Sequence, residues 1–277
     1  MAAAAALDAA LAAVAQGRLV PYLGAAVAGL GTSGVPATPT ALAAVLEAHV
    51  RPPRRAAGNL WAVAQYVETR RFRRTASSLV ERAFAAAADD NPVHRWLARL
   101  RPPLVVDAWY DAGLVDAYAA VAATGWGRVQ AVSRHDVAGE AWTQAFDAEG
   151  RPMPDGPDPR WPALIYKPHG LARAGSSFLL SDSDYVPVLT EIDIQTPIPA
   201  EVQARRRERG FLFLGCRFDD QMLRIFARQI AKRSGGPRLA VIDGPLTRME
   251  ARFLESESIA RIDADLAAVV AALPVPA

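Results

Sequence analysis

Cysteine is almost absent from this chain of 277 residues, which contains Cys216 and no other. A single cysteine excludes an intrachain disulfide bond and any zinc site built from several thiolates. Histidine is also scarce, since the sequence has four, and they are scattered without the spacing of metal ligands. We therefore expect no metal site in this protein.

Long apolar runs and an excess of one charge are missing as well. No stretch of about 18 strongly apolar residues occurs, so we expect no membrane span. Residues 1–16 are rich in alanine but lack basic leading residues, which predicts an amphipathic helix and not a secretion signal. Lysine and arginine total 31 against 29 acidic residues, a balance that argues against nucleic acid as a partner. These absences favour a cytoplasmic protein.

The residues that are present form an alternation of short apolar runs and helical patterns. Hydrophobic residues make up 51% of the sequence, which is enough for a sizeable core. Apolar runs predict strands at residues 19–23, 104–106, 128–132, 163–167, 211–214 and 238–242. Helical spacing dominates residues 40–100 and returns between the later strands. This order predicts an α/β fold: a Rossmann-like, doubly wound, mostly parallel sheet with a helical insertion after the first strand.

We interpret residues 1–277 as a single domain, with residues 40–100 as a helical subdomain. On this subdomain we expect a protein partner or self-association. Residues 139–162 are rich in Gly, Pro and Asp and predict a surface excursion, whereas residues 178–180 predict a hairpin arm. The three consecutive arginines at residues 205–207 predict a solvated helix face.

Small residues follow the first predicted strand. Gly24, Ala25 and Ala26 stand at its carboxyl end, where they would let backbone amides approach a pyrophosphate without obstruction. An ordinary tight turn is the alternative interpretation. The full G-x-G-x-x-G fingerprint is absent, so a standard dehydrogenase site is not expected.

A histidine follows the predicted strand at residues 163–167. Ligands of open α/β sheets bind outside the carboxyl ends of the strands, which is where His169 and Gly170 stand. An imidazole titrates near neutral pH, so His169 could act as a general base. A lone histidine at a strand end can equally be structural.

Acidic residues end two further strands. Asp107 and Asp111 follow residues 104–106, and Asp243 follows residues 238–242. Such carboxylates could bind ribose hydroxyls, although Asp111 and Asp243 could equally cap the helices that come next. Cys216 follows Gly215 after the strand at residues 211–214, and we interpret it as a buried small side chain in preference to a reactive thiol.

Taken in order, these segments resemble the sirtuin-like superfamily, especially its bacterial branch without a zinc module. Residues 19–26 are similar to the strand and "GAG" turn of that family, residues 104–111 to its "TTNYD" segment, and residues 167–170 to its "K-x-HG" motif. Residues 59–66 resemble its helical insert, residues 183–185 its "xxDY" motif, and residues 211–220 its "F-x-G-x-S-x-x-D" strand and turn. The resemblance covers nearly the whole chain.

The resemblance implies an adenine dinucleotide, NAD, or the related ADP-ribose, bound across the carboxyl edge of the sheet. The turn at residues 24–26 would hold the phosphates, and His169 would activate the ribose hydroxyls. Asp111 would line the pocket for ribose and nicotinamide, and Arg217 would meet a phosphate or pair with Asp219. The remaining residues that we assign to the nucleotide site are Trp109, Tyr110, Gly215, Cys216 and Asp243.

The chain departs from the family pattern at the pocket itself. Trp109 occupies the position of the family's Asn, and Ala26 and Ala28 replace a Gly and a Ser. Loss of one preorganised polar contact typically costs about 2.7–4 kcal/mol of barrier. We therefore expect a protein that binds NAD or ADP-ribose with a degenerate active site, acting as a nucleotide sensor or interaction module with weak or no NAD cleavage.

Two alternatives stay open. The first is an active NAD glycohydrolase with His169 as base and Asp111 orienting the substrate, in which Ser133 or Asp107 replaces the missing Asn. The second is a scaffold that binds no nucleotide because Trp109 fills the pocket. Lysine deacylation is least favoured, because the zinc module that frames the acyl-lysine cleft is missing.

Overall fold

A computed structural model describes residues 2–86, 90–136, 141–191 and 198–274. The helices are α1 Ala2–Ala15, α2 Pro39–Glu47, α3 Leu60–Arg71, α4 Arg73–Ala83, α5 Pro92–Leu100, α6 Gly113–Val121, α7 Asp182–Glu191, α8 Ala200–Arg206, α9 Gln221–Ala231, α10 Arg248–Ser256 and α11 Leu266–Ala272. A 3₁₀ helix covers Ala25–Leu30. The strands are β1 Leu19–Leu23, β2 Leu104–Asp107, β3 Trp126–Ala131, β4 Thr143–Asp147, β5 Pro152–Met153, β6 Ala163–Lys167, β7 Gly210–Leu214, β8 Arg238–Val241 and β9 Ile259–Ile262.

The described strands form one sheet in the order β5-β4-β3-β6-β2-β1-β7-β8-β9. From β3 to β9 in this order the strands pair in parallel, whereas β4 and β5 add an antiparallel hairpin at one edge. Helices α2 to α5 lie between β1 and β2 in the chain. The predicted fold class, a Rossmann-like, mostly parallel sheet with a helical insertion after the first strand, is confirmed.

Apolar side chains cover both faces of the sheet. In β2, Leu104 and Val106 belong to one core and Val105 to the other, as the alternation of side chains along a strand requires. Helices α2, α3, α4, α7 and α9 contribute to the core of Leu104, and α1, α5, α6 and α11 to that of Val105. The helices of the insertion therefore divide between the two faces, with α5 alone on the second.

The segment expected to form a surface excursion contains the β4–β5 hairpin at one edge of the sheet, and its residues 139–140 lie outside the described part of the chain. The expected hairpin arm at residues 178–180 is present as one antiparallel bridge, between Gly170 and Phe178, and not as a regular strand. One local prediction was wrong. Arg205 and Arg206, expected on a solvated face, are buried because their guanidinium groups donate to backbone carbonyls, including that of Pro103.

Candidate functional site

The carboxyl ends of β1 and β7 form the switch point of the sheet. The chain leaves β1 towards β2 on one side, whereas it leaves β7 towards β8 on the other. Open α/β sheets bind ligands in the crevice that this reversal creates. Gly24 follows β1 and Gly215 follows β7, so the two turns meet at the crevice.

Each turn has a glycine because the other turn leaves no room for a side chain. A Cβ atom on Gly24 would lie 2.7 Å from Sγ of Cys216, and one on Gly215 would lie 2.8 Å from the amide nitrogen of Val27. Gly215 also has a φ of 64°, in the left-handed region. The close approach of the two strand ends therefore depends on both glycines.

Backbone hydrogen bonds already use amides of the first turn. The amide of Gly24 donates to the Leu214 carbonyl at 2.8 Å, that of Ala26 to the Gly215 carbonyl at 3.2 Å, and that of Val27 to the Gly24 carbonyl at 3.1 Å. A phosphate could bind these three amides only by displacing the bonds. The role of this turn in holding phosphates stays a prediction.

A cavity of about 340 Å³ lies at the switch point. Small side chains and aromatic rings make up most of its wall, together with hydroxyl, amide and carboxylate groups. Of the residues assigned from the sequence, it brings together Gly24, Ala25, Ala26, Trp109, Gly215, Cys216 and Arg217.

Three helices begin at this cavity, an arrangement that the sequence pattern does not predict. Their N-cap residues Thr38, Asn59 and Asp220 line the cavity and precede α2, α3 and α9, helices of 9, 12 and 11 residues. Each cap accepts a hydrogen bond from an amide of its own helix, at 3.0, 2.9 and 2.6 Å. Because the N-terminus of a helix carries a partial positive charge, three converging N-termini favour an anionic group in the cavity.

Two carboxylates oppose this positive potential. Asp219 and Asp220 are neighbours in the wall of the cavity. Burial raises the pKa of the Asp220 carboxyl, with the charge of Asp219 as a smaller contribution in the same direction. The site therefore combines helix N-termini with acidic groups, a pattern that suits a phosphate beside sugar hydroxyls better than a bare polyanion.

Trp109 forms a buried wall of the cavity. Its Nε1 donates a hydrogen bond of 2.7 Å to the Pro36 carbonyl, in the loop that leads to α2. Its ring packs against Tyr110, with centroids 5.1 Å apart, and edge-on against Phe84 at 6.0 Å. The single donor of the indole is thus used within the protein, and the ring ties the loop to the sheet.

His169 lies in an aromatic enclosure and not on the cavity. It is only 3% exposed, and its ring centroid is 4.5 Å from Phe226, 5.7 Å from Tyr185 and 6.2 Å from Tyr110. Phe226 belongs to α9, so His169 packs against the side of the helix whose N-terminus opens on the cavity. His169 is not among the described residues that line the cavity.

Two tyrosines fix the orientation of this imidazole. The Nδ1 atom of His169 lies 2.8 Å from the Tyr185 hydroxyl, which lies 3.0 Å from that of Tyr110. Both hydroxyls also reach the Leu179 carbonyl, at 3.2 Å from Tyr185 and 2.8 Å from Tyr110. The number of hydrogen bonds is largest when both hydroxyls donate to this carbonyl and Nδ1–H of His169 donates to the Tyr185 hydroxyl.

That arrangement leaves Nε2 of His169 as a free acceptor. The atom is buried and has no hydrogen-bond partner in the described part of the chain. A buried acceptor without a partner costs less than a buried N–H without one, which also favours this tautomer. Burial, with a smaller contribution from the charge of Lys167, lowers the pKa of His169 to about 3. The imidazole is therefore neutral at physiological pH.

An ion pair that no sequence pattern predicted holds the tyrosine in place. Asp184, next to Tyr185 in α7, pairs with Arg73 of α4 and accepts a 2.7 Å bond from the Leu180 amide. It also accepts a 2.5 Å bond from Ser133, so that hydroxyl is engaged here. The acidic residue before Tyr185, at the start of a predicted helix, was the available signal.

Asp107 and Asp111 are engaged with Lys167 and α6. Nζ of Lys167 donates to the Asp107 carboxylate at 2.6 Å and to the Asp111 backbone carbonyl at 2.9 Å. The Asp111 carboxylate accepts a 3.0 Å bond from the Gly113 amide in the first turn of α6, in keeping with the capping alternative. Neither aspartate is among the described residues that line the cavity.

Arg217 reaches the cavity, but its guanidinium group is already paired. Nε and Nη2 donate to the two carboxylate oxygens of Glu250 at 2.7 and 2.8 Å. Burial raises the pKa of Glu250, but bonds from Arg217 and from Thr247 outweigh it and bring the pKa to about 2. The partner of Arg217 is therefore Glu250, and the expected pairing with Asp219 was wrong.

Asp243 is exposed and its carbonyl accepts a 3.4 Å bond from Arg217. The capping alternative was wrong here, because α10 is capped by Thr247. Cys216 is buried, its Sγ lies 3.7 Å from the Tyr22 carbonyl, and burial raises the pKa of its thiol. It therefore packs as a small apolar side chain.

The described residues contain no group of three or more His, Cys, Asp or Glu that could hold a metal ion. Within the same ranges, no helix has the length and apolar character needed to cross a membrane.

Comparison with known proteins assigns the family. A family model described as the SIR2-like domain matches residues 103–262, from the residue before β2 to the end of β9. The match includes Trp109, His169 and Gly215, whereas β1 and helices α2 to α5 precede it. No match was found among the curated proteins. Because the matched segment is more than half of the 277 residues, the chain belongs to the SIR2-like domain family.

Proposed function

We propose that this protein binds NAD or ADP-ribose through the cavity at the switch point and that it cleaves NAD weakly or not at all. The observation that carries the proposal is the convergence of three helix N-termini, capped by Thr38, Asn59 and Asp220, on one cavity with glycine and alanine walls. Membership of the SIR2-like family, whose domains generally bind NAD, adds to this. The helix termini would hold a diphosphate, and the small residues would admit it.

The dimensions of the cavity suit part of a dinucleotide better than the whole of it. Its volume of about 340 Å³ lies at the lower end of the range for small-molecule sites. Trp109 closes one wall, and His169 lies beyond the wall with its pKa lowered to about 3. A base with so low a pKa removes protons poorly at neutral pH. These features support a nucleotide sensor over an efficient hydrolase.

One observation favours the second candidate, an NAD glycohydrolase. Tyr185 anchors Nδ1 of His169, which leaves the buried Nε2 free to accept a proton. An imidazole held at one nitrogen and free at the other is the arrangement of a general base. For this activity the aromatic enclosure would have to open and admit water, which would raise the pKa of His169 towards its ordinary value.

Thermal unfolding with and without ligand tests the binding. We expect ADP-ribose and NAD to stabilise the protein, by about 2.7 kcal/mol when the ligand is at roughly 100 times its Kd. His169→Ala should keep this stabilisation, because His169 is not on the cavity. Absence of any shift at millimolar ligand would contradict the proposal and favour the scaffold.

Mass spectrometry of the same mixtures tests the chemistry. We expect little nicotinamide release from NAD. Turnover that is fast in the wild type and lost in His169→Ala would establish the glycohydrolase instead.

A further inference from the structure

The turn between α3 and α4 presents an aromatic side chain to solvent. Phe72 is 82% exposed, and it is the one large aromatic side chain with such exposure among the described residues. Its backbone has a φ of 69° and a ψ of 151°. Glycine is the residue that normally adopts this conformation, so a bulky aromatic residue here strains the backbone. The fold thus carries an unfavourable conformation at a residue whose ring adds nothing to the core.

Arginines flank this ring on both sides. Arg70, Arg71 and Arg74 are exposed, and none of them pairs with a carboxylate in the described part of the chain. The guanidinium group of Arg70 lies over the ring of Tyr66, 5.6 Å from its centroid. These three positive charges on one turn exceed the net charge of +2 of the whole chain. The surface around Phe72 is therefore a local concentration of unneutralised charge.

The turn that carries Phe72 is held firmly from inside. Arg73 points inward, where it pairs with the buried Asp184 and donates a 2.9 Å bond to the Phe178 carbonyl. Arg73 therefore points towards the core, whereas its neighbour Phe72 points to solvent. Because the backbone of this turn is already anchored, binding of the ring costs little backbone entropy, which is a property of interface anchors.

We propose that Phe72, with Arg70, Arg71 and Arg74, is a docking surface for an acidic protein segment that supplies an apolar pocket for the ring. The three exposed guanidinium groups, which have no carboxylate partner among the described residues, favour carboxylates on the partner, and the exposed ring favours an apolar contact. Single-stranded nucleic acid is less well matched, because its sites stack successive bases on several aromatic rings, whereas the part of the chain that the structure describes exposes one such ring. This inference is independent of nucleotide binding at the cavity.

Phe72→Gly is the decisive variant because it separates binding from folding. Glycine adopts the backbone conformation of residue 72 without strain, so the melting temperature of Phe72→Gly should equal or exceed that of the wild type. A clear fall in melting temperature would show that the ring serves the fold, and it would overturn the proposal.

Binding is measured with a random dodecapeptide library displayed on phage and selected on the full chain. We expect the enriched peptides to combine several Asp or Glu residues with an apolar residue. Synthetic copies should bind Phe72→Gly at least about tenfold more weakly than the wild type. The double variant Arg71→Ala/Arg74→Ala should weaken binding and its dependence on salt, whereas Arg248→Ala, which removes an exposed arginine of α10, should leave both unchanged.

Other outcomes would overturn the proposal. These are the absence of enriched peptides, enrichment without acidic residues, equal affinity for Phe72→Gly, and tighter binding of a thymidine oligonucleotide or of anionic vesicles through the same residues.

Discussion

Two glycines decide how closely the strand ends approach at the switch point. Gly24 and Gly215 sit where the turns after β1 and β7 touch, and a methyl group on either would overlap the opposite turn. The cavity wall next to them is lined by alanine, so the space in the site depends on the absence of large side chains there. The small residues that follow these two apolar runs in the sequence lie at this contact, and their role in holding phosphates stays a prediction.

Gly215→Ala tests this contact, and Gly34→Ala is a matched control. Both positions have positive φ, 64° and 67°, but a Cβ on Gly34 would meet nothing within 4 Å, whereas one on Gly215 would meet Val27 at 2.8 Å. We expect Gly34→Ala to lower the free energy of unfolding by about 1–2 kcal/mol, and Gly215→Ala by roughly 1–3 kcal/mol more. Urea titration measures both. Equal losses would mean that the turns separate at little cost.

At the scale of secondary-structure elements, one buried carboxylate joins the turn after β7 to the first turn of α10. Glu250 takes part in the capping box with Thr247 and accepts two bonds from Arg217. The β7 turn and the α10 cap, which lie about 30 residues apart in the sequence, therefore meet at one side chain. The position of the cavity wall around Arg217 depends on this junction.

Arg217→Ala should be costly and Arg228→Ala should not. The arginines are similarly exposed, at 43% and 48%, but the Glu250 carboxylate is 0% exposed and its counterpart Glu257 is 15% exposed. We expect Arg217→Ala to lower the free energy of unfolding by about 2–3 kcal/mol, below the value for a fully buried pair because Arg217 is part-exposed, and Arg228→Ala by about 0–1 kcal/mol. Chemical denaturation at pH 7 measures both.

The pH dependence of this pair has a definite sign. The folded-state pKa of Glu250 is about 2, below its ordinary value of 4.5. The pair therefore stabilises the fold fully above pH 4.5, and its contribution disappears as the pH falls towards 2. The difference between the wild type and Arg217→Ala should shrink over that interval, and a constant difference would contradict the assignment.

At the scale of the whole molecule, the sheet separates two buried polar systems. His169, Tyr185 and Tyr110 lie in the core shared with α7 and α9, whereas Lys167 and Asp107 are directed by strand alternation to the face covered by α5 and α6. Because His169 is enclosed by the packed helices and its pKa is lowered by burial, its protonation is linked to the stability of the whole fold.

Acid should therefore destabilise the protein through His169. Its pKa is about 3 in the folded state and 6.5 ordinarily, so the unfolded chain takes up a proton first as the pH falls. The contribution of His169 to the free energy of unfolding has its full value above pH 6.5 and is lost as the pH falls from 6.5 to 3. Between pH 6 and 4, the free energy of unfolding of the wild type should fall by up to about 1.4 kcal/mol per pH unit more than that of His169→Gln.

Nuclear magnetic resonance checks the same point without a variant. The ring resonances of His169 should not titrate between pH 8 and 5. Titration near pH 6.5 would show that water reaches the ring, and it would strengthen the case for NAD cleavage.

Sequence predictions were correct where the pattern that indicates an element lies within a short segment of the chain. The strands at residues 19–23, 163–167 and 211–214 were predictable because buried parallel strands are uninterrupted apolar runs. The β4–β5 hairpin and β9 were missed because edge strands are short and partly exposed, so their polar residues imitate loops. Arg205 and Arg206 were misjudged because the carbonyls that they satisfy come from distant segments.

The sequence by itself determined the alternation of the buried strands with helices and, to within about one residue, where those strands end, because hydrophobic periodicity and turn chemistry are local properties of the chain. Only the tertiary structure decided which of those ends share a cavity. It brought Gly24, Gly215 and three helix N-termini together, enclosed His169 behind α9, and gave Arg217 to Glu250. The reason is physical: burial and partner choice arise from packing between elements far apart in the chain, which no local pattern encodes.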